Sequence, residues 1–211
     1  MTWSIIARDR ESGSLGIAVA SRFFAVGSLV PWIRSGVGAV ATQAMVNPTL
    51  GPAILDRLEQ GEAVEAALNA AWGADDGAAV RQIHALDHKG NRAAHTGGDC
   101  VDWCGDISGT DISVAGNMLV GGEVLQACLE EYRDQAALSF PERLLASLLA
   151  GDAAGGDKRG RQSAALKIHT TEVYPDWDMR VDDHPDALNE LARVFAVGQT
   201  AFANYKELIP T

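Results

Sequence analysis

The sequence predicts an α+β fold in which two mainly antiparallel sheets pack face to face and helices cover both outer surfaces. Two observations lead to this class. The chain opens with a pair of strands, and blocks of strands then alternate with pairs of helices. Paired antiparallel strands cannot bury both of their faces alone, whereas two facing sheets with helices outside can. Because no repeat or linker divides the 211 residues, we expect one domain over residues 1–211.

The first half of the chain begins with a predicted β-hairpin. Thr2–Arg8 alternates apolar and polar residues, Asp9–Gly13 has turn chemistry, and Leu15–Ser21 is a second strand. The small residues of Val37–Ala44 are typical of an inner strand that is covered on both faces. Two amphipathic helices follow, with apolar faces formed by Ile54, Leu55 and Leu58 and by Val64, Ala67, Leu68 and Ala71.

The second half repeats this alternation of strands and helices. A final helix of about five turns is predicted from a cap at Asp186 through Tyr205. Pro141 lies at a favoured first-turn position of an earlier helix. The remaining predicted strands are Val80–Asp87, Arg92–Thr96, Asp111–Ala115, Ser163–His169 and Met179–Val181, and the remaining helices are Glu123–Tyr132 and Pro141–Ala150.

Composition excludes several classes of partner. The net charge of −11 argues against nucleic acid and anionic membranes, because phosphate contacts need clustered Lys and Arg. No apolar run reaches the length of a membrane span, and no secretory leader pattern opens the chain. The odd count of three cysteines fits reduced thiols better than a disulfide framework. We therefore expect a soluble cytoplasmic protein with no nucleic-acid or membrane partner.

Thr2 raises the first question of chemistry. Removal of Met1 usually leaves a short hydroxyl residue such as Thr2 at the N-terminus. A free N-terminal threonine carries an oxygen nucleophile and its own base, the α-amine, whose pKa is about 7.7–8.0. Threonine is also a good first residue for a strand, so the surrounding fold decides between the two interpretations.

Six motifs in a fixed order identify a family resemblance. They are "SRFFAVGSLVPW", "GAVATQAMVNPTLGP", "AAHTG", "GNML", "GDKRGRQSAAL" and "RVDDHP". This arrangement, which spans nearly the whole chain, resembles the DUF1028 family. That family is similar to the N-terminal nucleophile (Ntn) hydrolases, and the resemblance implies a four-layer αββα sandwich. It also implies that Thr2, exposed by removal of Met1, attacks an amide carbonyl.

Arg22 and Asn117 are candidates for catalytic roles beside Thr2, and Ser21 is a candidate for substrate binding. Ser21 and Arg22 end the second strand and lie close to Thr2 if the hairpin closes in register. Arg22 would then bind a carboxylate or lower the pKa of the amine, or else form an ordinary surface ion pair. Asn117 is a neutral donor suited to an oxyanion, or a turn residue beside Gly116.

Other polar residues are candidates for substrate binding. Thr42, Gln43 and Asn47 surround the end of one strand, where they line a pocket or hold the turn before Pro48. His95 ends another strand and either polarises a substrate group or bonds to backbone.

The basic loop before the strand at 163–169 supplies further candidates. Arg161 and Gln162 lie nearest that strand and are expected to point at a pocket, unless the loop is simply solvated. Asp182 belongs to an acidic stretch that an N-cap and an ion pair with Arg180 explain better than a metal site does. We predict no metal and no cofactor.

Two functions remain open at this level. One is hydrolysis of an amide or related C–N bond in a small polar, anionic metabolite, with Thr2 as nucleophile. The other is binding of a small anionic or sugar-like ligand without catalysis on a degenerate Ntn fold. A homodimer or higher oligomer is expected from the superfamily and from the apolar "AVGQTAFANY" segment.

Overall fold

Strands and helices follow one another in the blocks that the sequence predicts. A computed structural model describes residues 2–201 and residue 209. The strands are β1 Thr2–Arg8, β2 Leu15–Ser21, β3 Pro31–Arg34, β4 Gly38–Ala44, β5 Arg81–Asp87, β6 Arg92–Thr96, β7 Gly105–Gly109, β8 Ile112–Asn117, β9 Ser163–His169 and β10 Trp177–Val181. The helices are α1 Leu50–Glu59, α2 Val64–Gly73, α3 Glu123–Asp134, α4 Phe140–Ala153 and α5 Ala187–Ala201.

The strands form two antiparallel sheets. One has six strands in the order β10-β9-β2-β1-β8-β7, and the other has four in the order β3-β4-β5-β6. Helices α3, α4 and α5 share an apolar core with the outer face of the larger sheet. Helices α1 and α2 share another with the smaller sheet, and a third core lies between the sheets. This is the predicted four-layer αββα sandwich, which the structure confirms.

Strand β1 shows how alternation divides residues between two cores. Trp3, Ile5 and Ala7 pack among the helices of the outer layer. Ile6 belongs to the core between the sheets, and Ser4 bonds to side chains of the opposite sheet. Because successive side chains of a strand point to opposite faces, Thr2 faces the space between the sheets as well. Two-residue periodicity therefore directs this hydroxyl inward.

Two strands were not predicted, and several bounds differ. β3 has only four residues and begins with a proline, and β7 has glycines at both ends, so neither carries a strong strand signal. The strand predicted from Asp111 begins at Ile112, because Asp111 takes a turn conformation with φ of 57°. The final helix is described to Ala201, and its predicted continuation to Tyr205 lies outside the described residues.

The predicted positions of Pro141 and Asp186 at two helix starts are confirmed, and a capping box that was not predicted accompanies the first. Ser139 and Glu142 form a reciprocal capping box at the start of α4, with Pro141 in the first turn. Asp186 precedes α5 and accepts a hydrogen bond from the Asn189 side chain. Within the described part of the chain, no helix has the combined length and apolar character that spanning a membrane requires.

Candidate active site

Thr2 begins a strand that is paired on both sides. Its Cα partner on β2 is Ser21, and its partner on β8 is Asn117. The residue is only 5% exposed, and its hydroxyl donates to the Ser21 hydroxyl across 3.1 Å. The predicted hairpin register is therefore present, and it brings Thr2, Ser21 and Asn117 side by side.

A small cavity opens next to the Thr2 hydroxyl. Its volume is about 40 Å³. The residues that line it are Thr2, Ser21, Phe23, Val26, Leu29, Val30, Gln43, Ala44 and Val46. Three of these wall residues are polar, and none of the described ones carries an ionisable side chain. The hydroxyl thus faces a narrow, largely apolar space.

Backbone strain is concentrated around this cavity. Among residues 2–201 and residue 209, four non-glycine residues have positive φ: Ala25 at 53°, Ala44 at 67°, Asp111 at 57° and Met118 at 56°. Ala44 lines the cavity, Ala25 precedes the wall residue Val26, and Met118 follows Asn117. Left-handed backbone costs an alanine about 1–2 kcal/mol, and such strain tends to cluster at functional sites. One of these four positions, Ala44, therefore lies in the cavity wall, and two others are next in sequence to residues that line the cavity or pair with Thr2.

Two carboxamides beside Thr2 are held in place by a third. Gln82 is fully buried, and its Oε1 accepts hydrogen bonds from Gln43 Nε2 at 2.8 Å and from Asn117 Nδ2 at 3.0 Å. Gln82 Nε2 in turn donates to the carbonyl of Gly116 at 2.9 Å and to Thr96 Oγ1 at 2.9 Å. Gln82 therefore links Gln43 of the smaller sheet to Asn117 of the larger sheet by hydrogen bonds.

A serine–histidine–serine chain continues this network. The Ser4 hydroxyl donates to Gln43 Oε1 at 2.6 Å and lies 2.8 Å from His84 Nε2. Since Ser4 has one proton and gives it to Gln43, His84 Nε2 must carry the hydrogen between them. His84 Nδ1 then accepts from the Ser113 hydroxyl at 2.9 Å. Burial lowers the pKa of His84 to about 3, so the ring is neutral at pH 7.

These contacts define what the site can do chemically. The hydroxyl of Thr2 is a nucleophile, and the carboxamides of Gln43 and Asn117 are neutral donors fixed nearby. The neutral His84 is fully buried and bonded to Ser4 and Ser113, so it is no base for Thr2. A base for the hydroxyl must therefore come from elsewhere. If Thr2 is the terminal residue, its own α-amine lies next to its hydroxyl and can act as this base.

A family model described as Family of unknown function (DUF1028) matches residues 2–191. The chain belongs to this family. The crystal structure of a DUF1028 protein from Silicibacter pomeroyi has a TM-score of 0.89 and 34% identity, covering 94% of this chain and 86% of that one.

Two Anbu structures are more remote. Anbu (ancestral beta-subunit) from Yersinia bercovieri has a TM-score of 0.41 and 12% identity, covering 99% of this chain and 98% of its own. An Anbu mutant from Hyphomicrobium sp. strain MC1 has a TM-score of 0.43 and 13% identity, covering 100% and 99%. Among curated proteins, none matches this chain.

In this DUF1028 protein the predicted cationic residues lie in a second cleft. Arg22 follows Ser21, but its exposed guanidinium donates to the carbonyl of Arg159 instead of entering the Thr2 cavity. Arg22, Arg161 and Gln162 line a surface cleft of about 480 Å³. The structure thus separates Arg22 and Arg161 from the nucleophile that they were predicted to serve.

Most polar groups of that cleft already have partners. Arg161 forms ion pairs with Asp152 at 2.7 Å and Asp186 at 3.5 Å. Gln162 donates to Asp183 at 3.0 Å. Asp182 pairs with Arg180, as the alternative interpretation of that stretch predicts. In the described residues, no group of three His, Cys, Asp or Glu is placed to hold a metal ion.

Three remaining candidates lie away from the cavity walls. The Thr42 hydroxyl donates to the carbonyl of Asn47, and Asn47 Oδ1 accepts from the Thr49 backbone and hydroxyl. These contacts hold the turn before α1. His95 packs against Trp72 of α2, with ring centroids 3.5 Å apart and the ring planes tilted by 51°. The contacts of Thr42 and Asn47 are the structural alternative named from the sequence, whereas the packing of His95 on Trp72 is neither of the two roles named for it.

Four residues of the network were not singled out from the sequence: Ser4, Gln82, His84 and Ser113. A signal for two of them exists in the strand "RQIHALD", where Gln82 and His84 alternate with Ile83 and Ala85. Such alternation normally indicates a solvent-facing polar side. Here the polar side of β5 faces the larger sheet, and the sequence alone does not show that this sheet covers it.

Proposed function

We propose that this chain is an Ntn-type hydrolase of an amide or related C–N bond, with Thr2 as nucleophile after removal of Met1. The observation that carries the proposal is the position of the Thr2 hydroxyl. It begins an inner strand of an αββα sandwich, faces a cavity, and is flanked by strained backbone and two fixed carboxamides. The membership of the Ntn superfamily is part of the same proposal.

The proposed reaction is acyl transfer in two steps. The α-amine of Thr2 takes the hydroxyl proton while Oγ1 attacks the substrate carbonyl carbon. The carbon–nitrogen bond then breaks, the α-ammonium protonates the departing amine, and an ester joins Thr2 to the acyl group. Water attacks that ester with the same amine as base, which releases the acid and restores the hydroxyl.

Asn117 is proposed to stabilise the negative charge on the carbonyl oxygen, and Gln43 to shape the wall of the cavity. Each Nδ2 or Nε2 group carries two hydrogens, and in each residue Gln82 accepts one of them. We assign one second hydrogen, that of Asn117, to the developing oxyanion and give Gln43 the task of shaping the cavity wall. Loss of one such donor typically lowers the rate about 10²–10³-fold.

Binding without catalysis is the second candidate function. The 5% exposure of Thr2 favours it, because a large substrate has little access to the hydroxyl as the side chains stand. In this case the protein would hold a small molecule in the cavity, and removal of Met1 would not matter for affinity.

The first test is acylation of the protein by a small β-lactone, followed by intact mass spectrometry. We expect removal of Met1 and one acyl adduct located on Thr2. Thr2→Ala should abolish the adduct, and Thr2→Ser should retain it. A matched form with an N-terminal extension keeps Thr2 internal and should also remain unmodified.

Two outcomes of this test contradict the proposal. The first is retention of Met1 on protein isolated from its native cell, because the Thr2 nitrogen is then an amide. The second is equal labelling of the extended form, which would show that the amine is not needed. Cytoplasmic location and a homo-oligomeric state remain predictions, and light scattering tests the latter.

A further inference from the structure

Charge is distributed very unevenly between the two cavities near β2. The described walls of the Thr2 cavity carry no ionisable group. The larger cleft contains Arg22 and Arg161 together with Asp183 and His184. The expectation of an anionic substrate rested on the two arginines, and neither lines the cavity that holds the nucleophile.

We infer that the group bound beside Thr2 is a short, uncharged aliphatic acyl group. This inference rests on the proposed function and names the substrate class for the same site. Six of the nine wall residues are apolar, including Val26, Leu29 and Val30. Their chemistry matches hydrocarbon and offers nothing to pair with a carboxylate or an ammonium group.

The size of the cavity sets the length of that acyl group. A volume of about 40 Å³ is far below the several hundred Å³ of sites that enclose whole ligands. A buried water molecule needs a cavity volume of roughly 10–15 Å³, so this cavity holds about three atoms or methylene groups of that size. This corresponds to a chain of about two or three carbon atoms beyond the carbonyl.

The rest of the substrate is left outside the cavity. Phe23 belongs to the wall and yet is 48% exposed, so this wall reaches the protein surface. Phe24 and Met45, which adjoin wall residues in sequence, are exposed apolar side chains too. An amine leaving group would therefore reach solvent along the exposed apolar side chains of Phe23, Phe24 and Met45.

A charged acyl group would be strongly disfavoured in this cavity. A carboxylate there would lose its water, which is costly in an apolar environment, and no wall side chain is a cation that could pair with it. Pairing with the α-amine of Thr2 would keep that amine protonated and unable to act as the base. We expect discrimination of at least a hundredfold against an anionic acyl group of matched length. Each methylene that fits should raise the rate about fourfold.

The experiment uses p-nitrophenyl esters of acetate, butyrate, pentanoate and succinate with protein that has lost Met1. In each case the ester C–O bond breaks, the acyl group passes to Thr2 and then to water, and p-nitrophenolate is measured. Rates with Thr2→Ala are subtracted as background. We expect butyrate to exceed both acetate and pentanoate. The hemisuccinate, which has the same number of carbon atoms as butyrate, should react at least a hundredfold more slowly than butyrate.

A widened cavity sharpens the test. Leu29 is a half-buried wall residue, and Leu29→Ala should increase the pentanoate rate while leaving the hemisuccinate slow. Hemisuccinate turnover that depends on Thr2 and equals that of butyrate in the parent protein, or that of pentanoate in Leu29→Ala, would overturn the acyl-group inference alone. If no ester acylates terminal Thr2, the proposed function fails and the inference fails with it.

Discussion

Two polar regions of this molecule lie close together along the chain and differ in almost every physical respect. Between the sheets, neutral side chains of Ser4, Gln43, Gln82 and His84 are buried and bonded to one another. In the surface cleft, charged side chains such as Arg161 are partly solvated and paired with carboxylates. Buried neutral networks are costly to break, whereas exposed ion pairs contribute little.

A single residue step at the end of β2 separates these regions. Ser21 is fully buried and accepts the hydrogen bond of Thr2, whereas Arg22 is exposed and lines the other cleft. Sequence proximity placed both beside the nucleophile, but neighbouring residues of a strand point in opposite directions. The difference teaches that a candidate site on a strand should be assembled from alternate residues.

The largest difference is expected when the same substitution is made in each region. Gln82→Leu removes the acceptor of Gln43 and Asn117 and the donor to Gly116, leaving several buried groups unsatisfied. At about 1–3 kcal/mol for each such group, we expect the free energy of unfolding to fall by about 3–5 kcal/mol. Urea unfolding followed by circular dichroism measures it.

Gln162→Leu is the matched control in the cleft. It removes one hydrogen bond to the exposed Asp183, and we expect a loss below about 1 kcal/mol. Equal losses in the two variants would show that the inter-sheet network does not carry the stability assigned to it.

A second comparison uses pH. Burial lowers the pKa of His84 to about 3, against about 6.5 in the unfolded chain. Below pH 6.5 the unfolded state therefore binds a proton that the folded state does not. Stability should fall as pH drops from about 6.5 toward 3, with a slope from this residue of up to about 1.4 kcal/mol per pH unit.

His84→Gln keeps a polar side chain without the titration. Burial also lowers the pKa of His95 and His169, but both are present in the two proteins and cancel in the difference. Between pH 7 and 4.5, the variant should lose less stability than the parent protein. Parallel curves would mean that His84 is not held neutral in the folded state.

The smallest effect is expected from the cations of the cleft. Arg161→Gln removes ion pairs that are partly exposed, so stability should change by less than about 1 kcal/mol. Arg22→Gln and Arg161→Gln should both leave acylation of Thr2 unchanged within about twofold. A tenfold loss in either variant would place a cationic residue in the reaction and restore the anionic-substrate hypothesis.

The layers of the fold were predictable because their signals are local. Alternation in Thr2–Arg8 and the apolar stripe of Leu188 and Leu191 appear within a few residues of sequence. The short strand Pro31–Arg34 and the glycine-bounded strand Gly105–Gly109 escaped prediction, because neither has enough side chains to show a period.

The site was only partly predictable, for a different reason. Thr2, Ser21 and Asn117 come together through antiparallel pairing, which the hairpin suggested for the first two. His84 and Gln82 become inner residues only when a second sheet covers their strand. The stronger histidine candidate in the sequence, His95, instead packs on Trp72, because its strand end faces a helix.

The central position of β1 limits the time available for removal of Met1 before the protein folds. Strand β1 needs both β2 and β8 beside it, and β8 ends at Asn117. At about 5–20 residues per second, a ribosome takes on the order of ten seconds to make the chain between them. Once docked, Thr2 is 5% exposed and out of reach of an aminopeptidase. If Thr2 is the nucleophile, we expect Met1 to be removed during that interval, while the nascent chain is still open.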